Sequence, residues 1–183
     1  LKSRNEEART ASELYGRLVA RSRAPWFYAG LGVPDTPEGR LEMVMLQVVL
    51  ALRRLAAEGQ PGQLLARALT ETFVTDMDDC LREMGVGDIA VAGKVKKAAA
   101  ALYDRNRDYG EALAIPPGDP GDGDKLAGLL AEHVLGRKGG AAEELAVYAR
   151  EAETHLRETN RASVLCGQML LADLDGNGQE RLQ

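Results

Sequence analysis

Between Leu41 and Leu55 the chain carries ten large apolar side chains: Leu41, Met43, Val44, Met45, Leu46, Val48, Val49, Leu50, Leu52 and Leu55. On a helix of about 3.6 residues per turn they cover almost the whole circumference. A helix apolar all round is stable only in the midst of other elements, so this one belongs at the centre of the fold. It does not span a bilayer, because the nearly apolar run from Met43 to Leu52 is ten residues and includes Gln47, against about 20 for a membrane span. Its start is marked by Thr36-Pro37-Glu38. Threonine caps free amides, proline fits the first helical position, and glutamate suits the positive end of the helix dipole. Gly59 is the expected stop.

The remaining sequence supplies the surroundings. From Asn5 to about Arg21, the residues Ala8, Ala11, Leu14, Tyr15, Leu18 and Val19 recur at three- and four-residue steps, which predicts an amphipathic helix. From Pro61 to about Met84, a stripe of Leu65, Leu69, Phe73, Met77, Cys80, Leu81 and Met84 predicts a second, with Gly85 ending it. Asp88 is expected to cap a helix running to about Leu113, with Val91, Val95, Leu102 and Tyr109 inward. The stretch Ile115 to Asp124, rich in Pro, Gly and Asp, reads as a loop or hinge. Shorter helices over about 125–135 and 141–158 follow, then a tail with an apolar piece and an acidic end. There is no alternating strand pattern, so the fold class is all-α: a single helical domain of about six helices around the central one. The expected organisation is a core region at 1–114, a hinge at 115–124, and C-terminal helices with an acidic tail at 125–183, packed on the same domain.

Chemistry has little foothold. His133 and His155 stand in no HExxH pattern, and no cysteine lies within metal-ligand spacing of either. None of Ser3, Ser12, Ser22 and Ser163 lies in a nucleophile turn. Cys80 and Cys166 read as free thiols of a reducing compartment. Asp76, Asp78 and Asp79 resemble a magnesium-binding cluster but lack a second acidic motif. Asp76, at the edge of the apolar stripe, is instead expected to pair with an arginine such as Arg40 or Arg53. Asp173 to Gly178 begins like a calcium loop, but Glu180 stands where an aliphatic residue is needed, so a frayed acidic terminus is expected. No metal, cofactor or catalytic residue is assigned.

Two features point to binding. Trp26, Phe27 and Tyr28 sit in a Pro- and Gly-rich connection, where so much apolar area must meet a core or a partner. Lys94, Lys96 and Lys97 fall in the first turns of their helix, against its dipole, which suggests an anionic partner such as lipid or ribosomal RNA. The net charge of −5 and a pI near 5.2 argue against a DNA-binding role and confine any basic contact to a local patch.

Pro25-Trp-Phe-Tyr28, Leu31-Gly-Val-Pro-Asp-Thr36 with Gly39-Arg40, Asp76-Met-Asp78, and Leu81 to Asp88 leading into Lys94-Val-Lys-Lys97 together resemble the ubiquinol–cytochrome c chaperone family. The likeness runs from about Tyr15 to Tyr109 and is weak after Leu113. It implies an all-α, non-enzymatic assembly factor that binds newly made cytochrome b during biogenesis of the bc1 complex. The implied setting is the cytoplasm, at the face of the inner membrane, or the matrix side in a eukaryote. Client or partner contact is then expected at Trp26, Phe27, Tyr28, Lys94, Lys96 and Lys97, with a ribosome or an anionic membrane surface as further partner. A soluble helical carrier of a quinone, isoprenoid or haem is the competing reading, and it requires a cavity of several hundred Å³.

Overall fold

The apolar run forms helix α2 (Pro37–Ala56), and every residue from Met43 to Ala51 is buried. The computed structural model describes residues 4–116, 119–120, 122–136 and 141–169. Among these, α2 is joined by α1 (Arg4–Ser22), α3 (Gly59–Glu83), α4 (Asp88–Leu113), α5 (Asp122–His133), α6 (Ala142–Glu158) and α7 (Arg161–Leu165), with a π-helical turn at Trp26–Gly30 and no strand. Helices α1, α3, α4, α6 and α7 all pack on α2, while α5 closes over α4 and α6. The architecture is the all-α domain expected, with one short C-terminal helix more than the sequence suggests. That helix, α7, begins where the Asn160 side chain accepts the Ser163 amide at 2.9 Å, and it buries Val164. The calcium-loop-like segment 173–178 lies outside the described residues.

The start of α2 is as expected: Pro37 occupies its first turn, and Thr36 Oγ1 accepts the Gly39 amide at 3.1 Å. Its end differs. The helix stops at Ala56, and Gly59, with φ +67°, opens α3 instead of only closing α2. Glu58 is drawn into a buried ion cluster beneath this turn, paired with Arg54 of α2 and, at 3.3 Å, with Arg161 of α7. Three residues on, a side chain at Gly62 would place its Cβ 2.0 Å from the Leu55 carbonyl oxygen, so α2 and α3 leave their turn in backbone contact. Helix α4 also starts differently. Its N-cap is Gly87, without a side-chain cap, and Asp88 lies in the first turn, where it pairs with Arg82 of α3.

Ion pairs tie the ends of α2 to its neighbours. Arg105 of α4 donates two hydrogen bonds to Glu42, at 3.0 and 2.8 Å. Arg53 donates Nε and Nη2 to Glu153 Oε1 of α6, at 2.9 and 2.7 Å, and Arg54 donates to the carbonyls of Leu156 and Thr159, at 2.7 and 3.0 Å. The expected pairing of Asp76 with Arg40 or Arg53 is therefore replaced. Arg53 faces α6, and Arg40 takes Asp35 of its own entry loop at 2.6 Å. Asp76 faces α1, where it accepts the Tyr15 hydroxyl at 2.7 Å. Burial, and then the hydrogen bond to Asp76, hold the Tyr15 phenol far above the ordinary tyrosine range. It therefore donates at every physiological pH.

Alanine is the better helix former by about 1 kcal/mol, yet Gly62→Ala is expected to cost roughly 1–3 kcal/mol through overpacking. Thermal denaturation checks this, and a Tm equal to or above the parent's would mean that the two helices separate freely. Tyr15→Phe and Asp76→Ala should each cost about 1.5–3 kcal/mol as a charged-acceptor hydrogen bond is lost. The double variant should cost clearly less than the sum in urea unfolding; strict additivity would contradict the pairing.

Candidate functional site

Pro25 cannot continue α1, and the chain turns through the wider π geometry: the Leu31 amide donates to the Trp26 carbonyl and the Val33 amide to that of Phe27, both at 3.0 Å. This turn sorts three consecutive aromatics. Phe27 points inward and is fully buried, while Trp26 and Tyr28 on either side are half-buried. Glycine at position 30 lets the Trp26 indole lie close, since a Cβ there would stand 2.8 Å from its Cδ1 and force the ring to shift. The loop is held to α2 in the same way, with a Cβ at Gly39 falling 2.1 Å from the Pro34 carbonyl oxygen.

Beneath the turn lies an aromatic cluster. Tyr148 of α6 meets Phe27 edge to face at 5.0 Å between centroids and Trp26 at 6.0 Å. The Arg21 guanidinium lies 5.8 Å from the centre of the Phe27 ring and 5.6 Å from that of Tyr148, within reach of both π faces. The Tyr148 hydroxyl donates to Gln47 Oε1 of α2 at 3.0 Å. The turn is thus seated on the central helix through one buried tyrosine.

Above the turn lies a cleft of about 320 Å³, lined by Arg23, Pro25, Tyr28, Ala29, Asp35 and Arg40. The Tyr28 hydroxyl donates to the Ser22 carbonyl at 2.8 Å, which fixes the ring as one wall. Burial raises the Tyr28 phenol, so this wall is neutral. The hydrogen bond from Arg40 holds the Asp35 carboxyl below its usual range. The cleft thus offers an apolar floor with fixed charges at its rim.

Of the residues expected to meet a partner, Tyr28 lines this cleft, Trp26 is half-buried against Phe27 and Tyr148, and Phe27 is core and anchors the turn. Lys94, Lys96 and Lys97 are exposed on α4, in a separate place. Arg23, which the sequence did not single out, supplies the second cation of the cleft. Asp76 accepts Tyr15 on one side and has the exposed Cys80 thiol 4.0 Å away on the other; partial desolvation and then Asp76 raise that thiol. Among the described residues no three His, Cys, Asp or Glu side chains are grouped to hold a metal ion. A cavity of about 490 Å³ has a mixed lining, with Leu52, Ala56 and Leu156 beside the charged Arg53, Arg54, Glu153 and Arg157. A more apolar cavity, lined by Leu64, Leu65, Pro61 and Leu165, holds about 210 Å³. Neither gives a quinone or haem an apolar pocket of the size a carrier needs.

Comparison with curated protein sequences gave no significant match. Among solved structures, the crystal structure of the Cbp3 homolog from Brucella abortus is similar over 92% of each chain, with a TM-score of 0.79 and 33% identity. The family profile described as ubiquinol–cytochrome C chaperone matches residues 29–171. This match extends past Leu113 through α5, α6 and α7, where the sequence alone showed only weak likeness. With the profile covering well over half of the chain, the protein belongs to the ubiquinol–cytochrome c chaperone family.

Proposed function

We propose that this chain is an assembly factor of the bc1 complex that binds newly made cytochrome b, and that it acts by binding and not by catalysis. The observation that carries this reading is the family match over residues 29–171. The geometry adds a place for the client. A newly made membrane protein presents apolar segments ending in charged residues, and the cleft beside the π-turn offers Tyr28, Pro25 and Ala29 for the former and Arg23, Arg40 and Asp35 for the latter. Its client being a membrane protein, the chaperone works at the face of the inner membrane. No helix among the described residues is long and apolar enough to cross a membrane itself.

The seat and the surface of the turn are separable by mutation. Phe27→Ala should cost about 3–5 kcal/mol of stability, as for other buried aromatic truncations. Tyr28→Ser combined with Arg23→Glu should leave Tm within a few degrees of the parent's and weaken capture of cytochrome b at least about tenfold, the loss of one hot-spot contact. Pull-down of cytochrome b with the purified variants, beside their melting curves, reads both. Parental capture by the Tyr28→Ser/Arg23→Glu variant would remove the client from this cleft.

A further inference from the structure

From Ile89 to Tyr103, α4 runs fifteen residues with three lysines and no carboxylate, in a chain whose net charge is −5. The packed face of this segment is set by buried Val91 and Leu102. Ile89, Lys96 and Tyr103 recur every seven residues on the opposite face, interleaved with Gly93 and Ala100, all of them exposed. Ile89 is 95% exposed and Tyr103 71%, making them the two large hydrophobic side chains most open to solvent among the described residues. The stripe they define is about 21 Å long at the helical rise. Lys97 stands on its shoulder, while Lys94 lies roughly 140° around the helix from it. The flanking acids are only partly compensated: Asp88 shares Arg82 with Asp78, and Asp104, 3.4 Å from Arg107, shares it with Asp108, so the attraction must come from the lysines themselves. Asp78, Asp79 and Glu83 belong to α3, against which α4 packs.

We infer that this face of α4 seats on an anionic lipid bilayer, with the helix axis along the membrane plane; the inference rests on the assembly-factor reading, whose client sits in that bilayer. A membrane interface accommodates all three side-chain types on the line. An aliphatic residue enters the acyl boundary, a tyrosine sits at headgroup level, and a lysine keeps its stem in apolar surroundings while its ammonium meets a lipid phosphate. A nucleic-acid backbone would use the lysines but gains nothing from a fully exposed isoleucine. A single line with only two large apolar side chains, at its two ends, is also too narrow for the roughly 800 Å² that each partner contributes to a stable protein interface. The attraction comes from the lysines and is screened within about 8 Å at physiological ionic strength, so binding is weak and salt-sensitive.

Sedimentation with vesicles tests this. The chain should bind vesicles of equimolar phosphatidylcholine and phosphatidylglycerol, lose them on addition of salt, and ignore phosphatidylcholine alone. Lys96→Glu with Lys97→Glu, and separately Ile89→Asp with Tyr103→Asp, should each lower the partition coefficient at least about tenfold with unchanged circular dichroism. Lys94→Glu should change it less than about threefold, since that residue faces elsewhere. Absence of parental binding, retention by both paired variants, or an equal loss in Lys94→Glu would each overturn the assignment, as would binding to ribosomes in place of vesicles. Capture of detergent-solubilised cytochrome b, measured on the same variants, should be unaffected. If the vesicle assay fails while capture persists, only the membrane face is wrong; if the parent captures no cytochrome b, the assembly-factor reading itself falls.

Discussion

Everything in this fold follows from having to bury α2 on all sides. Nine consecutive residues, Met43 to Ala51, are out of water, and each large apolar side chain among them contributes about 1.5–3 kcal/mol on burial. No single neighbour can cover such a surface, so α1, α3, α4, α6 and α7 must surround it. The one polar side chain in that run, Gln47, is fully buried and receives the Tyr148 hydroxyl. Through Tyr148 the central helix reaches Phe27 and Trp26, and so positions the π-turn. The proposed client cleft is thereby lined by the α1–α2 connection and by Arg40 of α2, with the π-turn held from beneath by the aromatic cluster.

Directionality comes from the ion pairs at the ends of α2. Glu42 with Arg105, Arg53 with Glu153, and Arg54 with Glu58 are all largely buried. Replacing such a pair by apolar side chains is often neutral, whereas removing one partner leaves a costly charge. Arg105–Glu42 and Arg53–Glu153 join α2 to α4 and α6 at fixed points, while Arg54–Glu58 is local to the end of α2. Arg54 also donates to two carbonyls at the C-terminal end of α6, that of Leu156, which the Thr159 amide also reaches, and that of the C-cap Thr159. The turn into α7 is thus fixed by the helix it covers.

The sequence disclosed the central helix, its cap and the number of long helices, because these depend on local chemistry: apolar side chains on every face, Thr36 before Pro37, and positive-φ glycines such as Gly85. It did not disclose partners brought together over long separations. Asp76 was expected to meet an arginine on grounds of charge, but Tyr15, 61 residues away, lies closer once α1 packs on α3. Trp26, Phe27 and Tyr28 looked equivalent as a block. Only the π-turn, which no residue pattern announces, sends the middle one inward. Arg23 gains its place in the cleft from the same turn. The lysines of α4 were legible as a patch, but that Lys96 stands in line with Ile89 and Tyr103 while Lys94 does not depends on which face of α4 is packed.

On the proposed role the chain would hold its client before the complex exists and release it afterwards, so the state of the client is the sharpest observable. The chain should be isolated gently from its own cells and the co-purifying proteins identified by mass spectrometry, with haem followed by absorbance. Cytochrome b should accompany it, free of the other bc1 subunits, and should disappear from the isolate when Tyr28 and Arg23 are replaced. Isolation of the chain without cytochrome b, or with the fully assembled complex in its place, would contradict the proposed role.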